Sequence, residues 1–226
     1  MTPTVDLIVL AGGRGSRLGG ALKPAIEVAG RTLLSRVLDT RPLARHVVVV
    51  GPPAARPAAG DRAGAALIWA LEDPPFGGPV AGIAAGLAAL KAHGEANADI
   101  PADWLLVLAC DLPWGADAAR LLVVAASALE TTSGPETGSA PTVDGVHLVD
   151  STGHAQWLAA IYRAPALRAA VHRLGDRVNG ASMRDLLAGL NLDGLSDESE
   201  TGTDVDTWQD VESSSERLIR SKPTEE

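Results

Sequence analysis

The segment Val5-Asp6-Leu7-Ile8-Val9-Leu10-Ala11-Gly12-Gly13-Arg14-Gly15-Ser16-Arg17-Leu18-Gly19-Gly20, with Lys23-Pro24 just beyond it, passes from an apolar run straight into a basic glycine-rich loop. Residues 5–11 read as a buried strand, because a short apolar run bounded by glycine suits a strand covered on both faces. The glycines that follow let backbone N–H groups come close to a ligand without interference from Cβ atoms. Arg14, Arg17 and Lys23 add positive charge, so the loop from Leu10, Ala11, Gly12 and Gly13 onward is suited to a phosphate chain. Two familiar phosphate loops fit badly. A Walker A loop needs Gly-Lys followed by Ser or Thr, whereas Lys23 lies between Leu22 and Pro24. A dinucleotide fingerprint needs Gly-x-Gly-x-x-Gly, and counting from Gly13 and Gly15 reaches Leu18, one residue short of Gly19. The acid that would hold a ribose is also missing, since the second strand candidate, residues 46–50, runs into Gly51-Pro52-Pro53.

Further apolar runs at residues 47–50, 65–71 and 105–109 read as buried strands. Helical patterns lie between them. Residues 32–40 form one, Val80, Ile83, Leu87 and Leu90 make one apolar stripe, and residues 116–129 are rich in Ala and Leu. Strands alternating with helices predict a single Rossmann-like α/β domain with a doubly wound, mostly parallel sheet. In such sheets a ligand sits beyond the C-terminal strand ends. After a polar stretch at 131–142, expected on the surface, Val146 and Leu148 share a face, and Ser151-Thr152-Gly153 signals a turn. Residues 156–162 then resume an apolar run, which together predicts a small hairpin insertion. Residues 164–174 and 182–190 read as helices. Few apolar residues follow Glu212, so the domain is expected to span residues 1–211, with 212–226 a frayed tail.

At 226 residues the chain suffices for one well-buried domain and is short for two. With one Phe and one Tyr beside five Trp, the core must be built mainly from Ala, Leu and Val. Cys110 is the only cysteine, so no intrachain disulfide can form, and it reads as a small buried residue rather than a reactive thiol. The first 25 residues show neither a cationic leader nor an apolar run able to cross a bilayer, which points to a cytoplasmic protein without a membrane partner. A net charge of −9 argues against a nucleic-acid partner while leaving room for a small anionic ligand at a local cluster of cations.

Asp111 follows Trp104-Leu105-Leu106-Val107-Leu108-Ala109-Cys110 and precedes Leu112-Pro113. A carboxylate at the end of a buried strand faces the ligand crevice, and its hard oxygens suit Mg²⁺ bridging phosphates. Capping of a helix that starts near Trp114 is its other reading. Asp73 ends the third strand and precedes a Pro- and Gly-rich loop. Gly78 and Pro79 then open a helix whose N-terminus points backbone donors into the same crevice. Gly82 and Gly86 read as close-packing positions. The histidines, His46, His93, His147, His154 and His172, show no paired metal-ligand spacing and read as surface or core residues. The tryptophans read as packing anchors, with Trp157 able to line an acceptor pocket from the hairpin.

Leu-Ala-Gly-Gly with Arg17 and Lys23, then Gly78-Pro79-Val80-Ala81-Gly82, Cys110-Asp111-Leu112-Pro113, residues 158–163 and residues 204–211 occur in an order that resembles the molybdenum cofactor guanylyltransferases. The resemblance spans nearly the whole chain. It implies transfer of GMP from GTP to the phosphate of the molybdopterin cofactor, with Mg²⁺ required and pyrophosphate released. It places Leu10, Ala11, Gly12 and Gly13 on the nucleotide, Lys23 on its phosphates, Asp73 on the guanosine, and Asp111 on both nucleotide and metal. Asp206 takes the place of a second metal ligand, with Asp204 beside it. Contact with cofactor-delivery proteins or apo-molybdoenzymes is also implied. Leu22 stands where many of these enzymes have Asp, Leu18 where Met is frequent, and Asp204 and Asp206 where Asn is common. These departures keep open CTP as donor and a sugar phosphate or other phosphate as acceptor. Two rivals make different predictions: a non-catalytic nucleotide-binding protein would bind without releasing pyrophosphate, and a nicotinamide-dependent oxidoreductase would bind NAD.

Overall fold

The computed structural model describes residues 3–13, 16–64, 67–132 and 142–221. Arg14 and Gly15 of the basic loop, residues 133–141 of the polar stretch and residues 222–226 lie outside that set. Strand β1 (Val5–Leu10) is followed by a small antiparallel ribbon, β2 (Glu27–Val28) and β3 (Arg31–Thr32), and by helix α1 (Leu33–Val37). Then come β4 (Val47–Val50), β5 (Leu67–Ala70), α2 (Pro79–Asn97), β6 (Trp104–Ala109) and α3 (Gly115–Thr132). The remainder comprises β7 (Gly145–Val149), β8 (Ala155–Arg163), α4 (Ala164–Leu174), α5 (Met183–Leu187), β9 (Leu192–Ser196) and α6 (Trp208–Arg220).

Seven strands form one sheet in the order β5-β4-β1-β6-β8-β7-β9, and only β8 runs against its neighbours. Alternation along each strand sends successive side chains to opposite faces. Leu7, Val9, Val47, Val49, Leu106 and Leu108 thus meet α1 and α3 on one face. Ile8, Val48, Val50, Leu105 and Val107 meet α2, α4 and α5 on the other. Both faces are covered, as a doubly wound sheet requires.

Helix α2 starts at Pro79 after the N-cap Gly78, and its stripe Val80, Ile83, Leu87 and Leu90 is buried. It lies close on β1, since a Cβ at Gly86 would stand 2.8 Å from Ile8 Cγ2 and one at Gly82 3.0 Å from Leu10 Cδ2. Among the described residues, no helix is long and apolar enough to cross a membrane.

Several expectations need correction. The segment at 32–40 is not one helix, because α1 gives way to 3-10 turns over Leu38–Leu43 that contain Pro42. The expected hairpin is present as β7–β8, and through β8, which pairs with β6, it extends the main sheet. Residues 212–220 do not fray but continue α6. That helix is started by reciprocal capping between Thr207 and Asp210, and Val211 and Leu218 seat it on the cluster of Leu18, Ile26, Val28, Leu33 and Val205. A few well-spaced apolar residues suffice for a helix lying on a preformed core.

Candidate active site

The register Leu10↔Val50, Leu10↔Ala109 and Val50↔Ala70 aligns the C-terminal ends of β1, β4, β5 and β6 along one edge. The glycine loop leaves that edge from β1. Gly51, the residue after β4, packs so closely there that a Cβ would lie 2.8 Å from the Ala11 carbonyl oxygen. Ala11 is buried, whereas Gly12 and Gly13 are exposed and face solvent next to the crevice. The loop after β5 leads through Asp73 to Gly78 and the N-terminus of α2, where no side chain caps the first amides. Asp111 lies two residues beyond β6.

Lys23 is delivered by a short 3-10 turn, Lys23–Ala25, closed by Ala25 N–H donating to the Leu22 carbonyl at 2.8 Å. Its ammonium lies 2.5 Å from Asp111 Oδ2 and 2.5 Å from Asp206 Oδ1. Arg17 extends the cluster outward, with Nη1 2.8 Å from Asp206 Oδ2. Asp204 and Asp206 reach this place because of the residue between them. Val205 is fully buried among Leu18, Ile26, Val28 and Leu33, and its N–H donates to the Asp111 carbonyl at 3.0 Å. Asp206 is further fixed through its own N–H, which donates to Asp210 Oδ2 in the first turn of α6.

One carboxylate oxygen from each of Asp111, Asp204 and Asp206 lies within 4.8 Å of the others. Burial alone would favour neutral Lys23, but Asp111 beside it and the hydrogen bonds to Asp111 and Asp206 outweigh burial and hold its pKa above the ordinary value. The same Lys23 hydrogen bond leads the effects that depress the Asp206 carboxyl. Asp204 is shifted the other way, first by desolvation and then by the charges of Asp111 and Asp206. The second Asp111 oxygen, Oδ1, is buried and accepts no hydrogen bond among the described residues. An orphaned buried carboxylate oxygen, beside a second acid that makes no salt bridge among the described residues, is a donor set that fits a hard divalent ion.

Asp111 does not cap a helix. The turn into α3 is closed by backbone bonds, with Gly115 N–H donating to Leu112 and Asp117 N–H to Trp114. Asp73 is exposed and stands outside the Lys23 cluster. Cys110 is buried, and burial pushes its thiol pKa up, as expected of a packing residue. Leu18 belongs to the apolar cluster under the site, and Leu22 is half-buried at the start of the Lys23 turn. On the β8 side of Asp111 lies a cavity of about 260 Å³, lined among others by Gln156, Trp157, Met183 and Asp204. The sequence reading placed Trp157 there but missed Gln156 and Met183, which carry no pattern of their own. It also passed over Gly51, noted only for the acid it replaces, and Val205, whose position between two acids was the available signal.

The family model described as "MobA-like NTP transferase domain" matches residues 7–194, a span that includes Lys23 and Asp111 and stops short of Asp204 and Asp206. A molybdenum cofactor guanylyltransferase of Rhodopseudomonas palustris is 39% identical over 117 residues, covering 50% of this chain and 50% of that protein. One from Pseudomonas putida is 36% identical over 112 residues, covering 49% and 52%. The chain thus spans about half the length of the curated relatives it matches. Two solved structures share the fold. The 4-diphosphocytidyl-2C-methyl-D-erythritol synthase of Anaerococcus prevotii has a TM-score of 0.66 at 14% identity, covering 97% of this chain and 100% of that one. A nucleotidyl transferase of Methanothermobacter has a TM-score of 0.66 at 18% identity, covering 97% and 99%. With a model match over most of its length and a sheet of the same type, the chain belongs to the MobA-like NTP transferase domain family.

Proposed function

We propose that the chain transfers GMP from GTP to the terminal phosphate of the molybdopterin cofactor. The observation that carries this reading is the Lys23 ammonium held between Asp111 and Asp206 at the C-terminal edge of the parallel strands. The named relatives supply guanine and molybdopterin as the substrates to test. An oxygen of the acceptor phosphate attacks the α-phosphorus of GTP, the bond to the β-phosphate oxygen breaks, and pyrophosphate leaves with that electron pair. No enzyme nucleophile or strong base is needed, because a phosphate monoester with a second pKa near ~6 is already mostly dianionic at neutral pH. The protein has to align two anions and offset their repulsion.

The backbone donors of Gly12, Gly13 and the α2 N-terminus suit the triphosphate, and Leu10 and Ala11 set the loop's exit from the sheet. Asp73 lies on the approach to α2 and is assigned to the nucleoside. Lys23 and Arg17 hold the departing pyrophosphate by charge-assisted hydrogen bonds, which requires Lys23 to loosen its grip on Asp206. Asp111, with Asp206 or Asp204, would hold Mg²⁺, which when bound supplies positive charge against the triphosphate. The cavity lined by Gln156, Trp157 and Met183 receives the acceptor.

A second reading, CMP transfer from CTP, draws support from the cytidyl product named for the Anaerococcus protein of the same fold. Incubation with molybdopterin cofactor, Mg²⁺ and each nucleoside triphosphate in turn, with the dinucleotide identified by mass, decides between them. A guanine dinucleotide with stoichiometric pyrophosphate is expected. A cytosine product would establish the second reading, and nucleotide binding without pyrophosphate for any acceptor would overturn both.

A further inference from the structure

At the opposite edge of the sheet, the residue before β4, the last turns of α2 and the loop after it bring together His46, His93 and Asp99. One donor atom from each lies within 4.8 Å of the others. The two imidazole rings meet edge to face with centroids 4.7 Å apart, and His46 Nε2 stands 3.1 Å from Asp99 Oδ2. Yet Nε2 is buried and makes no hydrogen bond among the described residues. A ring nitrogen and a carboxylate at this distance need positive charge between them, supplied either by a proton on the imidazole or by a cation held by both.

The surroundings hold these groups in place. Asp6 is 2% exposed, accepts both Nε and Nη2 of Arg45, and also accepts the backbone N–H of His46. The other Arg45 nitrogen donates to the carbonyl of Ile100, next to Asp99. One guanidinium therefore ties the strand end that carries His46 to the loop that carries Asp99. A cavity of about 490 Å³ opens beside them, lined among others by His46, Asp99, Lys91, Glu95 and Arg168.

We propose that His46, His93 and Asp99 form a site for a borderline divalent transition ion such as Zn²⁺, separate from the acidic cluster around Asp111. Two imidazoles and one carboxylate are the donor set such ions take, whereas Mg²⁺ takes oxygen. Three protein ligands leave one position of a tetrahedral ion for water, and the adjoining cavity provides room for it. The site lies beyond the N-terminal end of β4, separated from Gly51 by the length of that strand, about 13 Å at the usual rise per residue. The pairing was invisible as a spacing motif because His46 and His93 are joined only by the β4-β5-α2 crossover.

The test is Zn²⁺ titration calorimetry on tag-free protein, with the Co²⁺ visible spectrum as second readout. The wild type and Asp111→Asn should both bind one Zn²⁺ equivalent at this site and give the d–d bands of imidazole-bound Co²⁺. His93→Ala, which places a good helix former on α2, and Asp99→Asn should each weaken Zn²⁺ by about tenfold or more and change the Co²⁺ bands. Circular dichroism shows that each variant is folded, and Zn²⁺ anomalous scattering from soaked crystals locates the ion independently of any variant. Equal Zn²⁺ affinity in wild type and His93→Ala, or an ion found only at Asp111, would overturn the proposal.

Discussion

Lys23 does two tasks with one charge. In the free protein its ammonium compensates two carboxylates, and in the proposed reaction it turns to phosphate oxygens. Because Asp111 and Asp206 raise its pKa above the ordinary 10.5, turnover should show no loss traceable to Lys23 up to that pH. Lys23→Ala should lower kcat about 10²- to 10³-fold, the scale for removing a preorganised donor, in the pyrophosphate-release assay; full turnover would remove Lys23 from the mechanism. The two later acids make opposite predictions for stability without divalent ions. Asp204 has a raised pKa in the fold, so its charge costs stability at neutral pH, and the cost vanishes where both folded and unfolded chains are protonated. Asp204→Asn should therefore raise the melting temperature at pH 7 and have no effect below pH 3.8. Asp206 is depressed by Lys23, so its contribution is present above 3.8 and lost as pH falls through the lowered value. Asp206→Asn should lower the melting temperature at pH 7. Thermal unfolding of both variants at the two pH extremes checks the pair of signs.

At the scale of elements, the contact of α2 with β1 is set by a glycine. Gly86→Ala would put a methyl 2.8 Å from Ile8 Cγ2 in a filled core, which should cost about 1–3 kcal/mol of unfolding free energy. Ile8→Val in the same chain should recover part of that loss in urea denaturation, and a neutral Gly86→Ala would mean that α2 does not seat on β1 this closely. This contact was legible in the sequence, since Val80, Ile83, Leu87 and Leu90 declare the buried face and the glycines fall beside it. Strands β1, β4 and β6 were legible for a similar reason: burial on both faces makes a strand an unbroken apolar run, and β5 beside β4 is apolar throughout as well. Strand β9 is an edge strand of sequence Leu-Asp-Gly-Leu-Ser, half-polar because one face and one side meet solvent, and it gave no such run. Helix α6 was misjudged because its stability comes from a cap and two seated side chains rather than from composition. Of the site, Lys23 and Asp111 were readable from where they sit on the loop and at the strand end. Their contact with Asp206, 183 residues beyond Lys23, arises only in three dimensions.

Across the whole molecule, strand order sets where each substrate of the proposed reaction would lie. Strand β6, which leads to Asp111, lies between β1, which leads into the glycine loop, and β8, which brings Trp157. In the proposed reaction the nucleotide therefore lies over β1, β4, β5 and the start of α2, and the acceptor over β8 and α5. In an acidic chain of net charge −9, Arg17, Lys23 and nearby backbone donors concentrate positive charge beside Asp111, which is where the proposed reaction brings its two phosphates together. Trp157 is half-buried, its carbonyl accepts a hydrogen bond from the Tyr162 hydroxyl at 2.9 Å, and it lines the cavity on the far side of Asp111 from the loop. An indole there offers a flat apolar face to the proposed fused-ring acceptor. Trp157→Ala should therefore raise KM for the acceptor about tenfold while leaving KM for GTP within about twofold, a split expected when binding to one substrate alone is lost. Initial rates measured with each substrate varied at saturation of the other give both constants. An equal rise in the two would mean that the substrates share the β8 side, and the division of the crevice by strand order would fail.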